Sequence, residues 1–200
     1  MIFIVIGIFI GFFAFLNLKK AKREKFINSY KFPKKLHINL SEIYPNLSSE
    51  EIDLILKGLK EYFLISNMGG TAVIAMPSYA VNIAWQEFML FKKEYKIFCK
   101  KAFGRFLYHI PIEVMKSRTV AQESIKKIWV ISCERENIIA DKPNKLPILF
   151  NLDVLLNIDG GIKYTINCNE TNKDYYCAES IGNHPIYIES SSGGDYGGGC

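Results

Sequence analysis

The sequence predicts a small, mainly helical domain with a short C-terminal β-hairpin, preceded by one N-terminal transmembrane helix. Three observations predict it: an uncharged run at the start of the chain, several stretches with apolar residues at three- and four-residue spacing, and one late stretch that alternates with a period of two. With 200 residues, 49% of them hydrophobic and 22% charged, the chain is long enough for one core and an appendage.

The first element runs from Ile2 to Leu18 without a charge. Its span of about 17 residues, at roughly 1.5 Å of rise each, just reaches across a hydrocarbon core. No basic segment precedes it and no small-x-small pattern follows, so an uncleaved anchor is expected rather than a signal peptide. Lys19, Lys20, Lys22, Arg23, Lys25, Lys31, Lys34 and Lys35 come next, opposed only by Glu24. Positive charge is retained on the cytoplasmic side, which predicts a single-pass protein of the inner or plasma membrane. Its N-terminus would lie outside, its C-terminal domain in the cytoplasm, with anionic lipid headgroups as a partner. Without that stretch the chain carries slightly more acid than base, which argues against a domain built to grip nucleic acid.

The expected organisation is an anchor over 1–18, a basic juxtamembrane tether over 19–46, a helical domain over 47–190 and a Gly-rich tail over 191–200. Pro33, Pro45 and scattered charge make the tether irregular. The domain opens with Ser48 followed three residues later by Glu51, a capping-box pattern, and with Ile52, Leu54, Ile55, Leu59, Tyr62 and Phe63 on one helical face. Ser78 to about Ala102 predicts one long helix, because Val81, Ala84, Trp85, Phe88, Phe91, Tyr95, Phe98 and Cys99 share a face, and Gly104 stops it. Such an aromatic stripe fills a core, since each ring buries a large apolar area. Ser117 to about Asn137 predicts a further helix with Val120, Ile125, Ile128, Trp129, Ser132 and Cys133 inward, and Leu146 to Ile158 a shorter one entered after Pro143 and Pro147. Ile162, Tyr164 and Ile166 then alternate as a strand, with Ile186-Tyr187-Ile188 as the expected partner. The terminal SSGGDYGGGC has no strand before it and no helix after it, so it forms no phosphate-binding loop.

Two stretches carry a resemblance. The first is Asn82-Ile-Ala-Trp85-Gln86-Glu-Phe88, continuing through Tyr95, Phe98-Cys99, Phe103-Gly104-Arg105-Phe106-Leu107-Tyr108-His109 and Pro111. The second is Leu146-Pro-Ile-Leu-Phe150-Asn-Leu-Asp153. Together with the Cys-containing, glycine-rich end they resemble the glycine-rich domain-containing protein-like family over roughly Ser48 to Cys200. The resemblance implies a compact helical domain and little chemistry. Its relatives carry Asp and His where this chain has Asn82 and Gln86, and a His pair where it has Tyr108 and His109. Neutral amides are poor ligands for a transition metal, so a metal site implied there is weakened or lost. The expectation that remains is a buried hydrogen-bond network of Asn82, Gln86, Tyr108 and His109 fixing how the helix meets the following loop.

The five cysteines, at 99, 133, 168, 177 and 200, are odd in number and irregular in spacing, which suits a reducing compartment better than a disulfide framework. Cys168 and Cys177 could pair across the hairpin or, with Cys200, offer thiolates to zinc, the one candidate cofactor. No serine sits in a strand-to-helix elbow, and Ser48, Ser78 and Ser117 read as helix caps. The sequence therefore predicts a non-enzymatic, membrane-anchored interaction domain acting on a protein partner at the cytoplasmic face. The alternative is a metal- or thiol-dependent enzyme with a degenerate site around His109 or the late cysteines.

Overall fold

The computed structural model describes residues 2–69, 75–109, 118–166, 175–178 and 181. Seven helices occur among these residues: α1 (Ile2–Ser29), α2 (Lys34–Ile43), α3 (Ser49–Met68), α4 (Tyr79–Leu90), α5 (Lys92–Ala102), α6 (Arg118–Arg135) and α7 (Ile148–Leu155). Two short strands follow, β1 (Tyr164–Thr165) and β2 (Tyr176–Cys177). They pair in parallel, Tyr164 opposite Tyr176, and Ile186-Tyr187-Ile188 lies outside the described residues.

Helix α3 is the hub, packing against α1, α2, α4, α6 and α7. Its start is set by the predicted capping box: Ser48 Oγ accepts from the Glu51 amide, and the Glu51 carboxylate accepts from the Ser48 amide at 2.7 Å. Its midpoint is Gly58, where a Cβ would come within 2.9 Å of Val81 and 3.0 Å of Leu152, so the missing side chain lets α4 and α7 cross close to the α3 backbone. Lys127 of α6 donates to the Gly69 carbonyl at 2.6 Å and closes the far end of α3. Arg135 of α6 pairs with Glu61 of α3, and this carboxylate holds the guanidinium pKa above its ordinary value. Glu136 in turn accepts from the Ile148 amide at 2.8 Å and caps α7 behind Pro147.

Four expectations are corrected. The first is the transmembrane helix: among the described residues no helix is long and apolar enough to cross a membrane. The uncharged run ends at Leu18, and the same helix continues through Lys19, Lys20, Lys22, Arg23, Glu24 and Lys25 to Phe26 and Ile27, where it joins the core. The membrane anchor, the inner- or plasma-membrane location and the headgroup partner fall with it. Second, the stretch from Lys19 to Pro45 is mostly helical, since α1 reaches Ser29 and α2 occupies Lys34–Ile43, with Ile27, Leu36 and Leu40 fully buried. Third, the long aromatic helix is two helices. Phe91 leaves helical geometry at φ −78° and ψ 64°, and α5 restarts on the Phe91 carbonyl, which accepts from the Tyr95 amide at 2.8 Å. The bend folds the stripe on itself, bringing the Phe88 and Tyr95 rings edge to face at 5.3 Å. The fourth concerns metal and thiol chemistry and is taken up below.

Candidate functional site

Helix α4 and the segment after α5 meet at the predicted polar network. His109 Nε2 and Asn82 Oδ1 lie 2.6 Å apart, and the His109 ring stands edge-on to Trp85 at 4.9 Å. Trp85 Nε1 donates to the Tyr95 hydroxyl at 2.9 Å, and that hydroxyl donates to the Leu107 carbonyl at 2.6 Å. Burial pushes the Tyr95 hydroxyl pKa far up, so it remains a proton donor. The structure thus brings Asn82 and His109 together. Gln86 is half-buried outside the chain of bonds, and Tyr108 is exposed and packs on Phe106 with centroids 4.8 Å apart. Trp85, Tyr95 and the Leu107 carbonyl are the members that sequence reasoning missed. The ring residues were legible as core, but their polar tips were not. These contacts tie α4 and α5 to the loop that follows them, which makes the network a brace between the three.

A second polar centre went unread in the sequence. Asp153 of α7 is buried, and its carboxylate accepts from Ser78 Oγ at 2.6 Å and from the amides of Tyr79 at 2.6 Å, Ala80 at 3.1 Å and Ile162 at 2.9 Å. Ser78 also caps α4 by accepting from the Val81 amide at 3.2 Å. The carboxylate sits where the helix dipole favours negative charge, and its acceptor capacity is filled by backbone and Ser78. It has no lone pair left for chemistry.

The metal and thiol alternative is corrected here. Among the described residues no group of three or more His, Cys, Asp or Glu side chains could hold a metal ion. Cys99 and Cys133 are free but buried, and burial raises both thiol pKa values, that of Cys133 to about 11. A buried thiol held neutral is a small hydrophobe rather than a nucleophile. Cys177 is disulfide-bonded, and Cys168 and Cys200 lie outside the described residues.

A groove of about 770 Å³ open to a partner lies between α1 and α5. Phe15, Leu18, Lys19, Lys22, Arg23 and Phe26 line one wall, and Lys100, Lys101 and Gly104 the other. The α1 residues follow each other at three, one, three, one and three positions, which is one face of a helix. Gly104, at φ 72°, ends α5 in the left-handed conformation, and a Cβ there would collide with the Arg23 guanidinium, so glycine admits that side chain to the groove. Lys101 Nζ lies 5.7 Å from the centroid of Phe26. Phe15 and Leu18 are 60% and 71% exposed, an apolar surface that water alone does not stabilise. The signal in the sequence was the α1 spacing; what hid it was that Lys100 and Lys101 belong to another helix.

A family model described as UCP032817-like matches residues 22–184. No curated protein and no solved structure matches the chain.

Proposed function

Since the chain belongs to the UCP032817-like family, whose description carries no activity, we propose from the geometry that it is a protein-interaction module receiving an acidic, amphipathic segment of a partner in the α1–α5 groove. One observation carries the reading: five cations, Lys19, Lys22, Arg23, Lys100 and Lys101, rim exposed Phe15, Leu18 and half-buried Phe26, and no carboxylate lines the groove. A helix with Leu on one face and Glu on the other matches both the apolar floor and the charged rim, and the rim charges steer its approach. The family match begins at Lys22, so Lys22, Arg23 and Phe26 of the α1 wall lie within it, and Phe15, Leu18 and Lys19 lie outside it.

The test is fluorescence polarisation of the full chain with a labelled Leu/Glu amphipathic peptide and a scrambled peptide of equal composition. The amphipathic peptide is expected to bind at least about tenfold more tightly, a difference of roughly 1.4 kcal/mol. Replacing Lys100 and Lys101 by Glu, or Leu18 by Ser, should each remove about that much, with unchanged circular dichroism. Equal binding of both peptides, or indifference to both variants, overturns the reading.

A further inference from the structure

A separate recess lies where the end of α1, the link to α2 and helix α3 converge. It is an open recess of about 620 Å³, within the size range of small-ligand pockets, and its lining includes Phe32, Pro33, Ile38 and Leu56 together with Lys31, Lys34, Lys57 and Lys60. The apolar wall is anchored to the core: Phe32 stands edge-on to Phe88 at 5.0 Å, and Tyr30 lies 4.7 Å from Phe98. Pro33, with φ −55°, sets the turn into α2, so the cavity is formed before any ligand arrives.

Its charge is unbalanced. Asp53 is the one carboxylate in the lining, and it faces His37 at 3.6 Å on the solvent side with 70% of its side chain exposed. Lys60 is half-buried, donates to the Asn28 carbonyl at the end of α1 at 3.3 Å, and sits 5.9 Å from the centroid of Phe32. A carbonyl and a ring face use part of an ammonium with three donors and supply no counter-charge. Burial accordingly lowers the Lys60 pKa from its ordinary value, and no carboxylate among the described residues pairs with it. A partly desolvated cation beside three further lysines and an aromatic wall is complementary to a negative head on a flat apolar body.

We infer that this recess is a binding site for a small organic anion, its phosphate or carboxylate head among Lys60, Lys57 and Lys34 and its aromatic body against Phe32, Ile38 and Leu56. The site is separate from the α1–α5 groove and does not depend on the interaction reading.

Titration calorimetry of the full chain with phenyl phosphate, benzoate, inorganic phosphate and phenol tests it. Saturable binding is expected for phenyl phosphate or benzoate, with inorganic phosphate and phenol at least about tenfold weaker, and the tighter of the two aryl anions identifies the head. Lys60→Gln should weaken the aryl anion about tenfold, and Lys60→Arg should largely keep it. The Lys100→Glu, Lys101→Glu pair should leave it unchanged, which separates this site from the groove. Lys57→Gln provides a second reading, an expected loss of about threefold, should Lys60→Gln fail to fold. No saturable binding, inorganic phosphate binding as well as phenyl phosphate, or indifference to Lys60→Gln where it folds and to Lys57→Gln where it does not, overturns the inference.

Discussion

Asp153 joins three segments through one carboxylate: the start of α4, its own helix α7 and the turn that leads to β1. Its removal strands four donors, two of them fully buried and two partly, and unpaired buried donors cost far more than the net value of a hydrogen bond. Asp153→Ala is expected to destabilise the domain by about 3 kcal/mol or more, measured by urea unfolding. Asp153→Asn keeps one acceptor oxygen and should cost less. An Ala variant as stable as the parent would remove the carboxylate from its bracing role. By contrast, the Asn82 and His109 contact could be anticipated from sequence because both residues lay in one recognisable stretch. Asp153 could not, since its partners are 73 to 75 positions away toward Ser78, Tyr79 and Ala80.

At the scale of elements, the informative helix is α1. Its polybasic half resembles a tether when charges are counted, yet Ile27 is fully buried and Phe26 packs beside Tyr30 and Phe98. Lysine and arginine stems tolerate a helix surface with their heads in water, so a basic helix needs only a narrow apolar edge to join a core. Ile27→Ala should therefore cost about 2–4 kcal/mol of stability, as for other large-to-small changes at core positions. A detached tether would show a change within about 0.5 kcal/mol, and urea denaturation separates the two outcomes. The break at Phe91 carries the complementary lesson. No glycine or proline marks it, and the helical spacing of apolar residues runs across it unbroken, because ring packing between Phe88 and Tyr95 makes the bend.

Across the described residues, several buried titratable groups stay neutral. Tyr62, Tyr95 and Tyr164 are buried with hydroxyl pKa values raised by desolvation, and Cys133 is raised from 9.0 to about 11. The folded state retains protons that the unfolded chain releases, so their stabilising contribution is complete below the unfolded values and is lost as pH rises. For Cys133 that loss runs from 9.0 to about 11. The urea midpoint is expected to hold between about pH 7 and 8.5 and to fall above pH 9 to 10, by up to about 1.4 kcal/mol per pH unit for each such group. A midpoint unchanged to pH 10.5 would show that these groups titrate alike in both states, about equally solvated.

By itself the sequence determined the mainly helical class, the capped start of α3, the Ser78 cap of α4, helix α6 and the short helix α7 behind Pro147, because caps, prolines and apolar spacing are local signals. Only the tertiary structure decided that α1 runs through its basic stretch into the core, that the aromatic helix bends at Phe91, and that Asp153 closes on α4. The same holds for the groove between α1 and α5 and for the recess around Lys60, where charges from separate helices come together. Each depends on groups distant in the chain meeting in space, and periodicity within one segment contains no term for a neighbour that folding supplies.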